Sequence, residues 1–319
     1  MQKKTKIGLS LRILSLLLLV MLGLFAATTS AQDATKEQEA KETEVVKIEP
    51  AVSILQKRGK ADSQLVAIPF SIAQHKLNYV LPVSWAKDPN NISADGLDDY
   101  NLDRFEAKYQ ISVKFPLYLH EENTSGLYFG FTAMSFWQVY NGKISKPFRE
   151  TNYEPEVFYS FQNDLSILGF EFNQIQVGFN HQSNGQSGAR SRSWNRLFAS
   201  ALFSDANAFY YFKAWYRIPE DDKLDINDTA GDDNPDITHF LGHIELGVGT
   251  KLGKFDLLTL VRNNLKFSDN KGSIELNLSY TLSDRYNLLL QYFNGYGDSL
   301  IDYNRHQQRI GLGIQLAFF

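Results

Sequence analysis

The sequence predicts an all-β fold, a twelve-stranded antiparallel transmembrane β-barrel, and three observations lead there. The chain opens with an export-type segment; it is rich in aromatics, with 16 Tyr and 23 Phe; and short alternating segments run from about Gln64 to a last strand that closes on Phe319. Mean hydropathy is nonetheless negative. A membrane barrel reconciles these features, because only alternate residues meet lipid and the aromatics gather at the two interfaces.

Taken in order, residues 1–31 carry Lys3, Lys4, Lys6 and Arg12, then an apolar run over 13–27, then Thr29, Ser30 and Ala31. This reads as a secretory signal peptide cut after Ala31. A retained membrane anchor is the rival reading, since the apolar run approaches spanning length. Residues 32–62, rich in Glu, Lys, Ala and Gln, form a charged and flexible leader. Residues 63–319 form the barrel domain.

Within that domain twelve segments alternate with Asn, Asp, Gly and Pro clusters, near 68–85, 102–118, 125–140, 150–163, 172–183, 194–204, 207–218, 237–250, 254–265, 272–282, 285–297 and 307–319. The clearest sets Ile274, Leu276, Leu278 and Tyr280 against Ser273, Glu275, Asn277 and Ser279. The last sets Ile310, Leu312, Ile314 and Leu316 against Arg309, Gly311, Gly313 and Gln315. Period-two alternation places each set on one face of its strand. In a third, Val157, Tyr159 and Phe161 alternate with Glu156, Ser160 and Gln162, and Phe158 breaks the pattern. A soluble sandwich would alternate in the same way, so the export segment, the aromatics and the final strand decide for a barrel. An even strand count puts both termini on the periplasmic side with the short turns. The 184–193 connection and the acidic stretch 220–236 then lie outside the cell.

Composition excludes other classes. Cysteine is absent, which removes disulfide staples and thiolate metal sites. A net charge of −4 without a basic stripe gives no nucleic-acid footprint. No later segment approaches the ~20 apolar residues of a membrane helix.

The fifth segment carries the chemistry. Gln174, Gln176, Gly178, Asn180 and Gln182 alternate with Ile175, Val177, Phe179, His181 and Ser183, and in a water-lined barrel the second set faces lipid. Asn195 shares parity with Leu197, Ala199 and Phe203 on the next segment and faces lipid too. Lone polar groups against hydrocarbon cost a few kcal/mol, so these three should satisfy one another. The roles are Ser183 as nucleophile, His181 as the base and Asn195 as the group that fixes the imidazole. Residues two apart on a strand are about 7 Å apart on one face. Asn cannot stabilise an imidazolium by charge, and a bound cation is one way to supply what is missing at the ester. The bland alternative is a polar rim beneath an extracellular loop, in a non-catalytic channel or lipid-binding barrel.

Four stretches carry a family resemblance: GFNHQSNGQSGARSRSWNRLF at 178–198, KPFRETNYEPE at 146–156, DDNPDIT at 232–238 and GYGDSLIDYN at 295–304. In this order they resemble the outer membrane phospholipase A family of Gram-negative bacteria, over most of the chain from about Ile68 to Phe319. The resemblance implies a twelve-stranded outer-membrane barrel that hydrolyses phospholipid and lysophospholipid acyl esters with Ca2+ as a homodimer. It implies His181, Ser183 and Asn195 as the triad, the N–H of Gly185 as oxyanion donor, and Ser191, Gln186 and a carbonyl near Ser145 of the partner subunit as calcium ligands. Calcium suits such oxygen donors. Asp233 matches one residue of a second calcium position, whose other carboxylate is replaced here by Gly188. Ala133 stands where a member of the family has a dimer-interface glutamine.

Other groups read as structural. The acidic loop with Asp221, Asp222, Asp225, Asp228, Asp232 and Asp233 lacks EF-hand spacing. His239, His243 and His306 have no zinc-type arrangement. Of Arg190, Arg192 and Arg196, at least one is expected to pair with lumen carboxylates while others could meet lipid phosphate or lipopolysaccharide. Trp137 and Trp194 read as interfacial aromatics.

Overall fold

The computed structural model describes residues 68, 71–89, 102–120, 125–144, 147–205, 208–225, 228 and 230–317, excepting the side chains of 163 and 164. The signal segment, the leader, Ser145 and Phe319 lie outside the described residues. Twelve long strands follow in order: β1 Tyr79–Ala86, β2 Phe105–Leu119, β3 Gly126–Trp137, β4 Phe148–Ile167, β5 Phe170–Ser183, β6 Ser193–Ser204, β7 Phe209–Ile218, β8 Ile244–Leu252, β9 Phe255–Asn263, β10 Gly272–Thr281, β11 Tyr286–Gly295 and β12 Gln307–Leu316. Each pairs antiparallel with its neighbours in sequence, and β12 pairs with β1 through Arg309↔Ala86 and Ile310↔Trp85, which closes the ring. One end has tight turns such as Leu168–Gly169, where both residues take positive φ; the other has the long connections.

The expected alternation holds on the outer wall. In β12, Ile310, Leu312, Ile314 and Leu316 are 44–51% exposed, while Arg309 and Gln315 are buried inside. In β10, Asn277 and Ser279 are buried and Leu278 is exposed. An apolar belt around a closed barrel is the surface that hydrocarbon solvates. The ladder is interrupted near Pro82 in β1 and next to Pro116 in β2, because proline lacks the N–H that a ladder needs.

Three segments differ from expectation. The first, 68–85, is not one strand: Ala73–Gln74 pairs with β2, the chain bends over 75–78, and His75 and Lys76 turn into the lumen, where Lys76 lies 2.7 Å from Glu154 and 2.9 Å from Glu156. Two buried carboxylates draw the cation inward, and extended pairing is lost there. The eighth, 237–250, begins instead with a short helix, α1 Ile237–Leu241. Ile237 and Leu241 are four apart, so one helical face buries both. The last strand stops at Leu316.

The lumen is polar and charged, and toward one end it is closed by buried ion pairs. Toward the long-loop end Arg149 meets Glu106 at 3.0 Å and Asp302 at 2.7 Å, while Arg309 meets Glu106 at 2.8 Å and Asp298 at 2.7 Å. Lys108 lies 3.4 Å from Asp298. Three acids thus balance three bases, as a buried cluster requires. Burial alone would raise the Asp298 carboxyl, but Arg309 and Lys108 hold it down to about 2. Leu300 and Tyr303 of the 296–306 loop fold in with α1 over Tyr128, Phe158, Trp194, Phe198 and Trp215. Phe158 broke the strand pattern because it faces inward, into this aromatic cluster. Gly178 makes room for it, since a Cβ there would lie 2.6 Å from the Phe158 Cβ. A cavity of 360 Å³ remains inside, lined by charged groups including Lys76, Arg196, Lys213 and Arg262.

Candidate active site

Strand parity carries β5 outward through Ile175, Val177 and Phe179, each at least 37% exposed, to His181 and Ser183 at the long-loop end. On β6 the same parity carries Leu197, Ala199 and Asn195. Register sets His181 directly opposite Asn195, and Ser183 between Ser193 on β6 and Tyr153 on β4. Tyr153 in turn faces Ala133 on β3. These side chains form a row on the outer wall above the apolar belt.

The His181 Nδ1 and Asn195 Oδ1 atoms are 2.9 Å apart. On the other side the Asn195 Nδ2 donates to Glu220 Oε1 at 3.2 Å. An ionised carboxylate only accepts, so the amide nitrogen must face Glu220 and the amide oxygen must face His181. That oxygen can only accept, which puts the imidazole proton on Nδ1 and leaves the Nε2 lone pair free. The structure therefore brings together two of the three expected residues by direct contact. Ser183 shares their face two positions along, and among the described residues no hydrogen bond joins it to His181. Half-burial and the nearby Asp232 push the Glu220 carboxyl up, against the Asn195 hydrogen bond.

Beyond Ser183 the chain turns back within ten residues, and Asn184 organises the turn. Its buried amide donates to Arg190 O at 2.8 Å and to Glu150 Oε2 at 3.3 Å, while its oxygen accepts from the N–H of Gln186 and of Arg192. Gly185 takes φ +64°, which glycine tolerates without strain, and the Tyr153 ring lies where a Cβ would meet it at 3.5 Å. A side chain there would be strained by the backbone conformation, while its Cβ would only touch the ring. Asn184→Ala should therefore loosen this turn and lower ester hydrolysis about 10-fold or more, the scale seen when a residue that only orients the reacting groups is removed. Unchanged protection of the 184–192 amides from hydrogen exchange in that variant would contradict the assignment.

Ser191 donates to Asp233 Oδ2 at 2.6 Å, Ser193 donates to the same atom at 3.3 Å, and Lys223 pairs with the other oxygen. Asn234 accepts from the Ser193 N–H, and Arg217 holds Asp232 at 2.5 Å. The DDNP motif thus pins the acidic loop to β6. Gln186 is exposed, and Gly188 starts a single 3-10 turn, Gly188–Arg190. Asp233 is engaged by Lys223, and Gly188 brings no carboxylate to it.

The remaining expectations divide. Trp137 stacks on Phe148 at the outer surface. Trp194 is not interfacial: it is fully buried, donates to Gln182 at 2.9 Å and stacks under Arg196. Its parity is that of Arg196 and Phe198, the lumen set. Arg196 is the arginine that pairs with a lumen carboxylate, Glu154, at 3.0 Å. Arg190 and Arg192 donate to backbone carbonyls of Arg149, Ala189 and Ser191. His239 pairs with Asp269 at 3.0 Å. Sequence reading missed Glu220, Asn184, Tyr153 and Lys223. Only Asn184 gave a signal, as the Asn that opens a Ser-Asn-Gly turn.

A closed twelve-stranded antiparallel barrel with an apolar belt has the form of an outer-membrane β-barrel. The sequence profile of the phospholipase A1 family matches residues 55–316. The phospholipase A1 of Klebsiella pneumoniae is 36% identical over 252 residues, covering 78% of this chain and 83% of its own. Among solved structures, a calcium-bound dimer of the Salmonella typhi outer membrane phospholipase is 35% identical at a TM-score of 0.68, over 78% of this chain and 93% of that one. An active-site asparagine-to-alanine mutant of Escherichia coli outer membrane phospholipase A is 36% identical at a TM-score of 0.70, with the same coverage. The chain belongs to the phospholipase A1 family of outer-membrane β-barrel hydrolases.

Proposed function

We propose that this protein hydrolyses acyl esters of phospholipids and lysophospholipids in the outer leaflet of the outer membrane, with A1 and A2 activity, as a calcium-dependent homodimer. The observation that carries this reading is the His181–Asn195 hydrogen bond on the lipid-facing wall, with Ser183 on the same face. His181 Nε2 accepts the Ser183 hydroxyl proton as Oγ attacks the acyl carbonyl carbon. The bond from that carbon to the glycerol oxygen breaks, and His181 returns the proton to the leaving alcohol. Water, deprotonated by the same imidazole, then releases the fatty acid and restores Ser183.

The Gly185 N–H would receive the oxyanion. The Ser191 hydroxyl, the Gln186 carbonyl and the Ser145 carbonyl from the partner subunit would hold calcium, which when bound supplies positive charge at the developing oxyanion. The donor set fits a hard cation: it is all oxygen, and the Ser191 hydroxyl already lies against the Asp233 carboxylate. In the Salmonella typhi relative a dimer with bound calcium is described, and in the Escherichia coli relative an asparagine is named as an active-site residue. A passive channel is disfavoured by the buried ion pairs that cross the lumen toward the long-loop end, where Arg149, Glu106, Arg309 and Asp298 form one charge network.

Fatty-acid release from mixed micelles tests the reading directly. With calcium in excess the protein should turn over, and chelation should lower the rate by about 100-fold or more, the scale of losing one oxyanion contact. Equal rates with and without chelator would end the case for calcium. Replacing Ser191 by Ala should raise the calcium concentration needed for half-maximal activity.

A further inference from the structure

Glu220 lies outside the triad assigned above, two residues past the end of β7, in the connection that leads to the DDNP motif. It is half-buried, and among the described residues its side chain makes no ion pair and one hydrogen bond, to Asn195 Nδ2. Its charged neighbours are Arg217 at the end of β7, already held by Asp232 and the Pro235 carbonyl, and Asp232 and Asp233 across the loop. Lys223 is spent on Asp233. A carboxylate brought against other acids without a cation of its own has a poor structural reason to be there.

We propose that Glu220 is a positioning residue for ester hydrolysis: it fixes the Asn195 carboxamide with its oxygen toward His181 and places a formal negative charge behind a neutral third member. This rests on the Ser183–His181–Asn195 reading. The argument is one of donors and acceptors. A free carboxamide can present either its oxygen or its nitrogen to His181, and with the nitrogen forward the imidazole would carry its proton on Nε2, where no base remains for Ser183. The acceptor at Glu220 selects the productive orientation. Its charge lies two hydrogen bonds from the imidazole, and it favours the imidazolium formed when Ser183 gives up its proton. Asn195 and Glu220 together thus divide between them the two tasks of an aspartate, orientation and charge.

The test uses the full-length, calcium-loaded enzyme in mixed micelles, with kcat, KM and pH profiles for Glu220→Ala, Glu220→Gln, Asn195→Asp and Asn195→Asp with Glu220→Gln. Glu220→Ala should lower kcat about 10-fold with KM little changed, since no substrate contact is lost. Glu220→Gln keeps an acceptor and should recover most of kcat. Both should move the acid limb of the kcat/KM profile to lower pH, because the imidazolium loses a stabilising charge. Asn195→Asp sets two carboxylates against each other and should be impaired, and adding Glu220→Gln should relieve that defect. A tether that only holds the loop would lower activity without moving the acid limb, and without that relief; either result overturns the proposal. Ser183→Ala separates the two levels. If it is inactive while every Glu220 variant behaves as wild type, the role of Glu220 falls and the triad stands; if it remains active, the triad itself falls.

Discussion

Ser183→Ala is expected to lower fatty-acid release by about 10⁴-fold or more, to the level that positioning and oxyanion contacts alone sustain. In the proposed mechanism the Ser183 hydroxyl is the atom that forms the acyl-enzyme, and the neighbouring Ser193, which faces it across the ladder, engages Asp233. His181→Ala should fall as far, and the double variant no further, because nucleophile and base act as one unit. Stability should stay within about 0.5 kcal/mol, the range of surface changes that break nothing, since Ser183 is half-exposed and its hydroxyl holds no partner among the described residues. Heat-resistant migration of the folded barrel checks this. Turnover that survives in Ser183→Ala, in a barrel that is still folded, would remove the mechanism.

The outward orientation of His181, Ser183 and Asn195 was legible because a strand's period is two and the greasy set of β5 and β6 names the lipid side without ambiguity. Register supplied what periodicity could not: that His181 faces Asn195 and not its neighbour depends on where the Asn184 turn closes. Trp194 misled because an aromatic near a strand end serves equally at a membrane interface or inside a packed lumen, and only the parity of Arg196 and Phe198 separates the two. His75 and Lys76 turned inward against the strand pattern because their partners, Glu154 and Glu156, lie about 80 residues away. Glu220 was invisible for a related reason. It sits in a loop where several acids look alike, and only the fold shows which of them reaches Asn195.

The second large effect is on stability. Arg149 and Glu150 from the stretch at 146–156 and Asp302 from 295–304 are buried in the lumen close to the Asn184 turn. Arg149 gives the cleanest test, because it donates to both oxygens of Glu106 and to Asp302 in a buried setting. Truncating one partner of such a cluster costs about 3–5 kcal/mol, since the charges left behind are neither solvated nor paired. In Arg149→Ala, Glu106 keeps Arg309 and Gln138, but among the described residues the Asp302 side chain keeps the Ser299 hydroxyl alone, so the 296–306 loop should release first. Equilibrium unfolding in urea should show the lower midpoint. Activity should fall along with it, because Glu150, next in sequence, receives the Ile301 N–H on one side and Asn184 on the other. The 296–306 loop and the Asn184 turn thus meet at Glu150. Restoring balance by also replacing Asp302 with Asn should recover part of the stability, as charge imbalance and not lost packing dominates the loss. A double variant no more stable than Arg149→Ala would mean that the guanidinium stacked on Phe136 matters for its bulk, and that the lumen charges are passengers.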